Sequence, residues 1–108
     1  MSANTPEGKV KKAIRETLDK YKPDVWYFMP SSRAFGKAGV PDLVCCVRGI
    51  FVGIEAKAGK GRLSALQKAT LEQICAAGGD TYVVYENGIK QLDETIGEMV
   101  RNSKSAES

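Results

Sequence analysis

The chain has no histidine among its 108 residues. That absence excludes Ser-His and Cys-His nucleophilic catalysis, histidine-ligated zinc and imidazole general bases. Any chemistry must therefore rest on carboxylates, lysines, tyrosines or a metal held by oxygen. Cysteine is scarce too: Cys45 and Cys46 adjoin in an expected strand, and Cys75 falls in an expected helix. An odd number without metal-type spacing reads as reduced, buried thiols. No run approaches the ~20 apolar residues of a membrane span. The N-terminus also lacks the basic-then-apolar pattern of a signal peptide, so the expected location is the cytoplasm.

The length suits a single domain whose core forms without disulfides or metal staples. The net charge of +3 is unevenly spread: residues 33–68 hold seven basic and two acidic residues, a net +5. Such a field suits a phosphate-bearing partner, and on its own it is also the pattern of a solvated face.

"TPEGKVKKAIRETLDKY" reads as a first helix, capped by Thr5 with Pro6 at its first position and Glu7 in its first turn. Val10, Ala13, Ile14, Leu18 and Tyr21 recur at helical spacing along one face. "DVWYFMP" reads as a strand whose Trp26, Tyr27 and Phe28 are expected to pack in the core rather than stack on bases. After a polar loop, "GVPDLVCCVRGIFVGIEAK" reads as a hairpin turning at Arg48-Gly49. A helix follows, with Ser64 as N-cap, Gln67 completing a capping box and Gly78-Gly79 as the stop. "TYVVYENG" is a strand and turn, and "LDETIGEMVRN" a terminal helix weakened by Gly97. The expected fold is α/β: an αβββαβ core with a mixed four-stranded sheet flanked by helices, plus the C-terminal helix. One domain spans 1–102, and a disordered serine-rich tail takes 103–108.

The hairpin register pairs Val47 with Ile50, Cys45 with Val52 and Asp42 with Glu55. Directly opposed residues share a face, their Cβ atoms roughly 4.5–5.5 Å apart, and the strand period puts Lys57 beside Glu55. Two carboxylates this close repel unless a cation sits between them. Oxygen-only ligation favours Mg²⁺ or Mn²⁺. Such an ion lowers the pKa of a bound water and neutralises charge on a phosphate, while Lys57 orients the water or stabilises the pentacovalent phosphate. These are the parts of phosphodiester hydrolysis. The plainer alternative makes Asp42 a strand-edge residue and Glu55-Lys57 a surface pair, since Glu-x-Lys alone is a common pattern.

The stretches "PEGKVKKAI", "FGKAGVPDL", "GIEAKAGKG", "LSALQKATLEQICAAGG" and "TYVVYE" resemble, in order, the VRR-NUC branch of the PD-(D/E)xK nuclease superfamily, in its stand-alone phage-type form. The resemblance covers about Pro6 to Glu86. It implies Asp42, Glu55 and the Ala56 carbonyl as metal ligands, Lys57 as the catalytic lysine and Gln67 as an active-site residue. It places the acidic residue of the first helix on Glu7, with Glu16 if the alignment shifts. Gln67 equally has its capping role, and Glu7 its role at the helix dipole. Arg33, Lys37, Lys60, Arg62 and Lys68 are expected to contact the DNA backbone.

The function implied is a Mg²⁺- or Mn²⁺-dependent, structure-selective DNA endonuclease that resolves four-way (Holliday) junctions as a homodimer in the host cytoplasm. Two alternatives stand beside it: a nuclease of flaps, nicks or ends, and a non-cleaving DNA-binding phage module. Intact Asp42, Glu55 and Lys57 argue against the last.

Overall fold

Thr5 opens the first helix, α1 (Pro6–Asp19), its hydroxyl accepting from the Gly8 N–H at 2.9 Å. The computed structural model describes residues 4–31 and 38–107. After α1 come β1 (Val25–Phe28), β2 (Leu43–Val47), β3 (Ile50–Ala56), α2 (Ala65–Ala76), β4 (Asp80–Val84) and α3 (Ile89–Glu107). A single 3₁₀ turn, Glu86–Gly88, leads into α3.

The four strands form one sheet in the order β1-β2-β3-β4. The first two pairings are antiparallel, and β3 runs parallel to β4. This is the mixed α/β architecture expected: a meander followed by a βαβ unit. Arg48 (φ 49°) and Gly49 (φ 90°) both lie in the left-handed region, as a two-residue hairpin turn of matching twist requires. That turn fixes Val47 opposite Ile50, Cys45 opposite Val52 and Leu43 opposite Ile54.

One face of the sheet carries the core. Val25, Leu43, Cys45, Val47, Val52 and Ile54 are buried there against α1 and α3. Gly97, expected to weaken α3, is instead buried where the helix meets the end of α1. A Cβ on it would lie 2.8 Å from Tyr21 Oη. Tyr21 and Lys20 both bind Asp93 of α3 across this seam.

Three expectations need correction. Residues from Ser103 to Glu107 continue α3 rather than form a disordered tail. No glycine or proline interrupts the helix after Gly97, Val100 anchors it in the core, and Lys104 pairs with Asp24 at 3.0 Å. The aromatic strand is only partly core: Tyr27 packs against the core as expected, but Trp26 is 63% exposed and Phe28 46%. Among the described residues the second sheet face is only half covered, because α2 sits over β3, with Ile74 against Gly53 and Gly79. Trp26, Phe28, Val44 and Phe51 share the uncovered part of that face. Finally, all three thiols are free, but only Cys45 is buried; Cys46 and Cys75 are exposed. Among the described residues no helix is long and apolar enough to cross a membrane.

Candidate active site

The open end of the β2–β3 hairpin gathers the charges. Asp42 stands one residue before β2, and Glu55 is the penultimate residue of β3. The loop leading to Asp42 is pressed against α2 and β3. Gly39 has φ +84°, and a Cβ there would lie 2.7 Å from Leu66 Cγ of α2. Pro41 packs over Gly53, whose added Cβ would approach Pro41 Cγ to 2.9 Å. Beyond the last paired residues, the Asp42 carboxylate itself ties the strands: its Oδ2 accepts from the Ala56 N–H at 2.8 Å.

Glu55 is 1% exposed. Among the described residues its Oε2 is buried with no hydrogen-bond partner, and its Oε1 is reached by the Gln67 amide nitrogen at 3.5 Å. Burial first, and then the neighbouring Asp42 carboxylate, push the Glu55 carboxyl up to about 8; the Lys57 charge pulls the other way. A buried carboxyl in this state is costly to ionise until a positive charge arrives.

Gln67 serves both readings at once. Its Oε1 accepts from the Ser64 N–H at 2.8 Å, and Ser64 Oγ accepts from the Gln67 N–H at 3.1 Å, completing the capping box. Fixing the amide oxygen in the cap leaves the amide nitrogen turned toward Glu55.

Lys57 is half-buried and is anchored through its backbone N–H to the Val84 carbonyl at 2.9 Å. Among the described residues it forms no ion pair. Glu7 lies at the same end of the sheet, close enough to add to the upward push on Glu55. Glu16 is elsewhere, 67% exposed and paired with Lys12 at 4.0 Å. Lys60, Arg62 and Lys68 are exposed beyond the hairpin, whereas Arg33 and Lys37 lie outside the described residues.

Three residues at the site were not singled out from the sequence. Lys11 Nζ stands 3.6 Å from both Glu7 Oε2 and Asp42 Oδ1. Glu86 accepts from the Gly59 N–H at 2.9 and 3.1 Å, and Tyr85 Oη donates to the Gly61 carbonyl at 2.7 Å. Those two hold the basic loop after Lys57. Only Lys11 had a legible signal, its i,i+4 spacing from Glu7.

Among the described residues no cluster of three or more His, Cys, Asp or Glu forms a ready metal cage. Two carboxylates, one with an orphaned buried oxygen, nevertheless fit a hard divalent ion. Mg²⁺ takes one or two protein carboxylates and keeps several waters.

The mixed four-stranded sheet with its flanking helices has a counterpart among solved structures. A solved VRR-NUC domain matches it with a TM-score of 0.67 at 25% identity, over 86% of this chain and 96% of that one. The chain has the VRR-NUC fold. No protein-family model matches the sequence, and no curated protein matches it.

Proposed function

We propose that this chain is a phage-type PD-(D/E)xK nuclease: a Mg²⁺- or Mn²⁺-dependent endodeoxyribonuclease that prefers branched DNA and resolves four-way junctions as a homodimer. One observation carries the reading. A fully buried carboxylate, Glu55, with an unpartnered oxygen, faces Asp42 and has Lys57 two residues on, in a domain of VRR-NUC fold.

Asp42, Glu55 and the Ala56 carbonyl would hold the ion, which when bound supplies Lewis acidity toward water and phosphate. The chain's own groups do the rest. The Ala56 N–H holds Asp42 in place, and the Gln67 amide donates toward Glu55 Oε1. The Lys57 ammonium donates a hydrogen bond to the attacking water or to a phosphate oxygen, stabilising charge as the P–O bond breaks. Lys60, Arg62 and Lys68 present cations to the flanking backbone phosphates.

The bare sheet face supports the homodimer. Trp26 (63% exposed), Phe28 (46%) and Phe51 (46%) together expose on the order of 300 Å² of aromatic surface. Phe28 and Phe51, with Pro30, Val44 and Ile74, line an apolar groove of about 410 Å³, and the Trp26 ring lies beside Phe28 at 5.7 Å between centroids. That is a fair share of the core of a standard interface, about 800 Å² per partner. Asp42 and Glu55 lie on the same face of the sheet, so a two-fold contact there would set two sites beside one interface, as symmetric incisions need.

The test incubates four-way junction, flap, nicked and linear duplex with Mg²⁺, Mn²⁺ or EDTA, beside Lys57→Ala. Cleavage is expected with either metal, strongest on the junction, lost in EDTA and reduced at least ~100-fold in Lys57→Ala. If no substrate is cut with either metal, the enzyme reading is wrong; equal cutting of linear duplex removes structure selectivity. Trp26→Glu is expected to be monomeric by light scattering and to nick one strand only. A wild-type monomer at working concentration would remove the paired-cut scheme.

A further inference from the structure

Lys11 has no role in the scheme above, yet its surroundings are those of a working group. It extends from α1 to the sheet, with its side chain 17% exposed. Its ammonium stands 3.6 Å from Asp42 Oδ1 and 3.6 Å from Glu7 Oε2. An i,i+4 Lys-Glu pair on a helix is ordinary surface furniture. A contact from the same ammonium to a carboxylate of another element, at the mouth of a site that also buries Glu55, is not. Lys12, one position along, shows the ordinary case, 60% exposed and paired with Glu16 at 4.0 Å.

We propose that Lys11 is a resident counter-ion of the site: in the metal-free protein it neutralises Asp42 and Glu7, and it yields Asp42 when a divalent ion binds. This rests on the metal-dependent reading above. Two like charges cannot share one carboxylate at close range without cost, so Lys11 opposes the ion it stands in for. It thereby keeps the carboxylates together without metal and makes metal binding weaker and more salt-sensitive than the carboxylates alone dictate. Lys11 acts through Asp42 and is a positioning residue.

Titration calorimetry with Mn²⁺ alone, without DNA, tests this on four full-length proteins: wild type, Lys11→Met, Lys11→Arg and Lys12→Met. Thermal denaturation in EDTA verifies that each is folded. Lys11→Met keeps the apolar stem and is expected to bind Mn²⁺ about three- to tenfold more tightly at low salt, the gap closing as ionic strength rises. Lys11→Arg restores the wild-type affinity, and Lys12→Met, with the same change in net charge, leaves it unaltered. Equal or weaker binding by Lys11→Met overturns the counter-ion role while leaving the metal site standing. An equal gain in Lys12→Met reduces the effect to net charge and likewise overturns it. Absence of binding in all four proteins overturns both the role and the metal-dependent reading.

Discussion

Removing the titratable group at position 55 should abolish a loss of stability that the native chain suffers as pH rises. In the native chain the Glu55 carboxyl sits at about 8, against 4.5 for the ordinary group. Between those values the folded protein keeps a proton that the unfolded chain has released. Stability from this group is thus fully present below about pH 4.5 and is lost as pH rises through about 8. At about 1.4 kcal/mol per pH unit, the loss is on the order of 5 kcal/mol, large beside the roughly 5–15 kcal/mol that holds a domain together. Because the side chain is 1% exposed, solvent screening does little to reduce it. The assay is urea unfolding in EDTA at several pH values from 5 to 9, on wild type and Glu55→Gln. All other titrating groups are common to both, so the difference between the curves isolates the Glu55–Asp42 pair. Wild type should lose several kcal/mol relative to Glu55→Gln across the range, and the variant should be the more stable at pH 9. Mn²⁺ should restore wild type at pH 8 and leave the variant unmoved. A difference that stays constant within about 0.5 kcal/mol from pH 5 to 9 would mean that Glu55 holds no buried proton over that range.

Gln67→Ala should cost about 1 kcal/mol through loss of the capping box and should also lower cleavage. Gln67→Glu keeps the box, so restored stability without restored activity, read by urea unfolding and single-turnover cleavage, separates the two roles of the amide. Gly39→Ala forces a side chain into φ +84° and against Leu66 Cγ at 2.7 Å; a loss of about 1–3 kcal/mol in chemical denaturation is expected. Replacing Lys60, Arg62 and Lys68 together by Gln should weaken DNA binding on all sequences alike. It should also flatten the slope of log K against log salt by up to about 3, as three lost phosphate contacts require.

What the sequence made legible was whatever local chemistry decides. Thr5 and Ser64 name their helix starts because a hydroxyl there has one useful partner, and Arg48-Gly49 names the turn because few dipeptides accept two positive φ angles. From that turn, register follows by counting, and with it the meeting of Asp42 and Glu55. The errors came where tertiary contact decides. A run of Trp26, Tyr27 and Phe28 looks like core in any strand, and nothing local says that α2 covers β3 and stops short of β1. The helix past Ser103 survives on Val100 and on Lys104 pairing with Asp24, 80 positions away in the chain. Lys11 was legible as the partner of Glu7, while its reach to Asp42 depends on how α1 lies on the sheet.

The same dependence explains why the site is built at the hairpin's open end. A carboxylate on a mobile loop would relax away from Glu55, and the pair would cost little and do little. Here the separation has no freedom: the turn sets the register, Gly39 and Pro41 clamp the approach to α2 and β3, and the Ala56 N–H holds Asp42 at 2.8 Å. Glu55 cannot retreat either, since β3 is flanked by paired strands on both sides. The repulsion is therefore met by a proton on Glu55 and by the Lys11 ammonium at Asp42, both of which a divalent ion can replace. On the metal-dependent reading proposed above, rigidity in the fold is what would convert two ordinary acids into a site that favours a cation.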